Sequence, residues 1–105
     1  MNSTPAVYSP KGRIDGTNAG GAEGDIKALI EAGNISLVLD LSDVDYMSSA
    51  GLRVVLIAAK STRAAGGKTV IAGARPAILE ILKMSGFDRV IEIMPDLEQA
   101  QLRFG

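Results

Sequence analysis

The 105-residue chain has no cysteine, histidine or tryptophan, and only 4% of its residues are aromatic. Without cysteine there is neither a disulfide framework nor a thiolate metal site; without histidine the commonest metal ligand, general base and neutral-pH sensor is gone. A nucleophilic serine would have to rely on a lysine or a carboxylate, and no spacing in the chain argues for such a pair. No catalytic residue, metal or cofactor is therefore assigned. Neither sign of charge dominates: 11 Lys and Arg stand against 12 Asp and Glu, a net charge of -1. No long-range field then draws the chain to nucleic acid or to an anionic membrane. The start, MNSTPAVYSPKGR, lacks the apolar core of a signal peptide, and charges or glycines interrupt every later hydrophobic run before it reaches a membrane span. A cytoplasmic protein with no nucleic-acid or membrane partner is expected.

What is present is an ordinary globular composition, 47% hydrophobic and 22% charged, in a length that suits one modest core, so residues 1–105 read as a single domain. Val7, Tyr8 and Ile14 lie in a segment broken by Pro10 and Gly12, which fits an edge strand or a strand pair cut short. Asp15-Gly16-Thr17-Asn18 is turn chemistry. After a Gly-rich stretch, Ile26, Leu29 and Ile30 recur at helical spacing over Asp25 to Ala32, and Gly33 ends that helix. Ile35 to Leu41 is apolar except at Ser36 and Asp40, the pattern of a central strand covered on both faces. Asp43 and Asp45 then mark a wet loop.

A second helix is expected from Gly51 to about Ala65, ended by Gly66-Gly67 before a strand at Lys68 to Ala72. A third opens at Arg75-Pro76, presents Ile78, Leu79, Ile81 and Leu82, and stops at Ser85-Gly86. Met84 and Phe87 are expected to pack beneath that stop. Arg89 to Met94 is a last strand, and Pro95-Asp96 starts a terminal helix that docks through Leu97 and Leu102. Strands alternating with helices predict a small α/β domain, with a mostly parallel or mixed central sheet of about four strands and about four helices.

The chemistry concentrates at Met47-Ser48-Ser49-Ala50-Gly51. Ser48 and Ser49 leave a loop and enter a helix, where a hydroxyl caps free backbone N–H groups and where phosphate is electrostatically welcome. Along that helix Leu52, Val55, Leu56 and Ala59 form one apolar side, while Val54, Ile57 and Ala58 lie opposite. The second side is either buried within the monomer or a partner-binding patch. Arg53 is placed to meet a carboxylate or phosphate on a partner.

LVLDLSDVDYMSSAGLRVVL, followed by Gly66-Gly67-Lys68, by KMSGFDRVIEI from Lys83 to Ile93, and preceded by the Gly-Arg-Ile-Asp turn at Gly12 to Asp15, resembles the STAS domains. Within them the likeness is to the bacterial anti-sigma factor antagonists. The resemblance implies a binding module that captures an anti-sigma factor, a serine kinase of GHKL type, and is released when that kinase phosphorylates a serine at the start of the second helix. A PP2C-type phosphatase is the implied opposing partner. In the family the phosphoacceptor directly precedes the glycine; here Ala50, without a hydroxyl, stands in that place. The acceptor role therefore falls to Ser49, with Ser48 behind it. Asp15, in the loop the family places beside this helix, joins Ser48, Ser49, Gly51, Arg53, Val54 and Ile57 as the expected partner-binding set. The family usually has two strands before the turn aspartate, and residues 6–14 leave room for little more than one. Ala50 also keeps open a STAS module that never switches: a scaffold, or a nucleotide-sensing or transport-complex subunit.

A receiver-type phosphoaspartate domain is the remaining rival, from Asp40 near a strand end and Lys68 on the next strand. It needs an acidic pair to hold magnesium, and the chain before Asp25 offers only the separated Asp15 and Glu23.

Overall fold

The computed structural model describes residues 4–104. Four strands, β1 (Ala6–Tyr8), β3 (Ser36–Asp40), β5 (Lys68–Ala72) and β6 (Glu92–Met94), pair in that order, all parallel. Two further strands, β2 (Gly12–Ile14) and β4 (Val44–Met47), form a separate parallel pair. The helices are α1 (Ala19–Glu31), α2 (Ser49–Ala64), α3 (Pro76–Met84) and α4 (Leu97–Gln101), with a single 3-10 turn at Phe87–Arg89.

Leu37, Val38, Leu39, Val70, Ile71 and Ala72 are each at most 1% exposed, so the two central strands are covered on both sides. Alternation along each strand divides their side chains between two apolar clusters. Leu37, Leu39 and Ile71 meet α1, α2 and α3 through Ile26, Val55, Ala58, Ile78 and Leu82. On the opposite face Val38, Val70 and Ala72 meet α4 through Ala100, with Leu97 and Phe104 packed against them. The polar groups drawn inside are paired: the buried Thr62 and Thr69 hydroxyl oxygens lie 2.8 Å apart, and both reach the Ala58 carbonyl. Among the described residues no buried side-chain nitrogen or oxygen lacks a partner. An unmade hydrogen bond in such a core would cost about 1–3 kcal/mol.

Several expectations change. Residues 6–14 hold the cut-short strand pair, not one edge strand: β1 and β2 both form, at three residues each. The stretch around Asp43 and Asp45 is not all loop, because Val44–Met47 is β4. Its ends, Val44 and Met47, are buried while Asp45 and Tyr46 are exposed, a pattern that breaks simple alternation. The register between β2 and β4 shifts at Gly12/Arg13, where Gly12 takes φ +76°, a left-handed backbone that L side chains seldom adopt. The first helix begins at Ala19, six residues before Asp25, because tertiary contact at Ala22 outweighs the weak helix propensity of Gly20, Gly21 and Gly24. At the other end of the chain Leu102 is 77% exposed, and Ala100 takes the docking position expected of it. Met84, expected beneath the Ser85-Gly86 stop, is 79% exposed; Phe87 alone packs against the core there.

Candidate functional site

The corner where β2 and β4 meet the start of α2 is built by backbone pairing. Register places Ile14 beside Met47, and the Ser48 N–H donates to the Ile14 carbonyl at 3.0 Å, so the chain leaves β4 pinned to the end of β2. Ser48 then turns the chain into the helix: its hydroxyl oxygen accepts from the Ala50 N–H at 3.2 Å, and its carbonyl accepts from the Leu52 N–H at 3.0 Å. The half-buried Ser48 is thus the N-cap. Its lone pairs are committed to α2, and the helix needs them.

Ser49 stands one residue further on, as the first residue of α2, and is exposed. Its hydroxyl enters no hydrogen bond among the described residues. The first turn of α2 carries no acidic residue, so the helix itself sets no negative charge against a phosphoryl group there. Arg53 follows one turn later, also exposed, at the spacing that makes side chains neighbours on a helix surface.

Gly51 has a different task. A Cβ placed there would stand 2.6 Å from Met47 Cγ and 2.7 Å from the Ile14 carbonyl oxygen, closer than real Cβ atoms come to their neighbours. Only glycine lets α2 approach the β2–β4 pair this closely. Gly51 is buried, so it shapes the corner from within and offers no surface to a partner.

Val54 is likewise corrected. It is 3% exposed and joins Val55 and Ala58 in the main core, because the stripe of α2 that faces inward is Gly51, Val54, Val55, Ala58 and Thr62. The expected division of the helix was therefore rotated: Leu52, Leu56 and Ala59 are only half-buried, and Val54 and Ala58 are fully inside. Ile57, half-buried and outside the core clusters, remains on the surface side. The reason is that α1 and the sheet both press on α2, so the covered stripe is set by two neighbours at once.

Asp15 lies next to this corner, immediately after Ile14, yet its carboxylate is occupied. It accepts from the Thr17 hydroxyl at 2.6 Å and from the Thr17 N–H at 2.9 Å, and pairs with Arg13 at 3.3 Å. The Thr17 hydroxyl above all, then the Thr17 N–H, holds its acidity on the strong side of an ordinary carboxylate. Asn18 locks the same turn, accepting from the Asp15 N–H and donating to the Arg13 carbonyl. Arg13 also lies over the Tyr46 ring, 4.3 Å from its centroid, so a cation and an aromatic residue border the corner on the strand side. Sequence reasoning missed this pair, because it places Tyr46 in a loop.

With this geometry the comparisons with known proteins agree. The STAS domain family model matches residues 2–100. The chain belongs to the STAS domain family. A Bordetella bronchiseptica protein described as an anti-sigma factor antagonist, BtrV, is 36% identical over 94 residues, which is 90% of this STAS domain and 81% of that protein. Among solved structures, an anti-sigma factor antagonist from Mycobacterium paratuberculosis is 27% identical with a TM-score of 0.80, over 92% of this chain and 82% of the other. A Thermotoga maritima protein described in the same terms superposes with a TM-score of 0.87 at 21% identity, over 92% of this chain and 84% of its own. That last likeness speaks for the fold alone. The two of these relatives above 25% identity, from Bordetella bronchiseptica and Mycobacterium paratuberculosis, are both described as anti-sigma factor antagonists. Among the described residues no helix is long and apolar enough to cross a membrane, and no group of His, Cys, Asp or Glu is placed to hold a metal ion.

Proposed function

We propose that this STAS domain is a cytoplasmic anti-sigma factor antagonist that captures an anti-sigma factor of the GHKL serine-kinase type at the β2–β4–α2 corner. Phosphorylation of Ser49 by that kinase ends the capture, and a PP2C-type phosphatase restores it. One observation carries the reading: of the two serines, Ser48 has its hydroxyl committed to capping α2, while Ser49 is exposed with its hydroxyl free of hydrogen bonds among the described residues. A phosphoryl group on Ser49 would add about -1.5 to -2 charge beside a helix N-terminus that tolerates it, so it acts on the partner and leaves the fold intact. Arg53 and Ile57 extend the docking surface from Ser49, and Asp15 shapes its border through the turn it holds. Gly51 and Val54 support that surface from inside.

Incubation with the cognate kinase and ATP, followed by phosphopeptide mapping, tests the proposal. Label on Ser49, lost in Ser49→Ala, is the expected result; no label on either serine, with no kinase retained on the immobilised domain, overturns it. Ala50 at the place of the family's acceptor favours a second reading, a STAS scaffold that binds without switching. Retention of the kinase in the absence of any label supports that second reading.

A further inference from the structure

The outward stripe of α2 runs well beyond the serine corner. Ser49, Arg53, Leu56, Lys60 and Arg63 recur at alternating steps of four and three residues, so they form one continuous line on the helix, opposite the buried stripe. Arg53, Lys60 and Arg63 are exposed, and none enters an ion pair among the described residues. The helix contains no Asp or Glu at all, although the whole chain carries a net charge of -1. Beside the far end of this line lies a small, largely apolar cleft formed by Leu56, Ala59, Lys60, Arg63 and Val90, with Val90 52% exposed.

Its volume of about 120 Å³ is too small for a metabolite, since small-molecule sites run to about 300–1,000 Å³, but it suits one aliphatic side chain. Unpaired cations in line, an apolar notch among them and a helical ridge as the platform are complementary to an amphipathic helix with acidic flanks. The stripe offers no aromatic platform on which a nucleic-acid base could stack. We propose that Leu56, Ala59, Lys60, Arg63 and Val90 form a second docking surface, about two to four turns of α2 beyond Ser49, for an acidic amphipathic helix of a partner protein that seats one aliphatic side chain in the cleft. This surface depends neither on the partner's identity nor on whether Ser49 is modified.

The test titrates the isotope-labelled full chain with a synthetic peptide of about 18 residues, five helical turns, bearing leucines on one face and glutamates on the other. Amide shifts confined to Leu56–Arg63 and Val90, absent with the lysine counterpart of the peptide, are the expected result. K60E/R63E, with an unchanged circular dichroism spectrum, should weaken the acidic peptide about tenfold or more and admit the lysine peptide. K60A/R63A supplies the same reading should the charge reversal perturb the fold, and Val90→Asp should weaken the peptide through the apolar notch. Equal binding of both peptides, shifts centred elsewhere, or binding to phosphatidylglycerol vesicles in preference to the acidic peptide each overturns the proposal.

Discussion

The two faces of α2 are made from the same sixteen residues and answer to different rules. On the inward face Gly51, Val54, Val55, Ala58 and Thr62 are buried, and each fits what it packs against: the glycine for close approach to Ile14 and Met47, the valines and alanine for filling, the threonine for its hydroxyl pairing with Thr69. On the outward face Ser49, Arg53, Lys60 and Arg63 are exposed, and the charged three enter no ion pair among the described residues. Close packing makes the first face intolerant of added volume or charge, whereas the second is constrained only by what it meets outside the molecule. Packing thus occupies one side of the helix and leaves the other free for the recognition proposed above.

The sharpest way to break that contrast is a matched pair of charges. Val54→Asp buries an unpaired carboxylate and should cost more than about 4 kcal/mol, enough to unfold the domain in thermal or urea melts. Ile57→Asp, three residues on and outside the core, should leave the melting transition nearly unchanged while abolishing retention of the partner kinase. If both variants unfold, the outward face is not a surface. Next in size, Gly51→Ala forces a Cβ against Met47 and the Ile14 carbonyl, and a loss of about 1–3 kcal/mol in urea unfolding is expected. The two serines divide the contrast more finely. Ser48→Ala removes the cap and should lower stability by about 1 kcal/mol; Ser49→Ala should stay within about 0.5 kcal/mol and remove only the phosphate label.

Smallest of all is the acid dependence of the Asp15 turn. Its carboxyl titrates below the ordinary 3.8 because Thr17, through its hydroxyl and N–H, and Arg13 favour the charged form. The folded state therefore holds fewer protons, so the contribution is complete above 3.8 and disappears as pH falls below that value through the folded-state pKa. Melts of the wild type and Asp15→Asn from about pH 5 downward should converge as the carboxylate protonates, and parallel curves would remove Asp15 from the turn's electrostatics.

Much of this molecule was legible before folding. The run Ile35 to Leu41, apolar except at Ser36 and Asp40, carried the pattern of a strand covered on both faces, Pro76 marked the opening of α3, and Asp96 does cap α4, accepting from the Gln99 N–H at 2.8 Å. The serine corner was visible for the same local reason, since Ser48 precedes a helix-periodic run. β4 was not visible: four residues with buried ends and a polar middle carry no period of two, and their pairing with β2 depends on a shift at Gly12 that only the paired chain reveals. Val54 was misplaced because an apolar helix with seven apolar residues in eight from Leu52 to Ala59 gives no clear stripe to periodicity.

By itself the sequence determined the alternation of strands and helices, the absence of thiol and imidazole chemistry, and the double serine at a helix start, because each depends on composition or on neighbours along the chain. Which serine keeps a hydroxyl free of hydrogen bonds, which side of α2 is surface, and where three cations without ion pairs line up beside an apolar notch were decided, among the described residues, only in three dimensions. The physical reason is that burial and hydrogen-bond commitment are properties of what packs against a residue, and those partners, Ile14 and Val90 among them, come from distant parts of the chain.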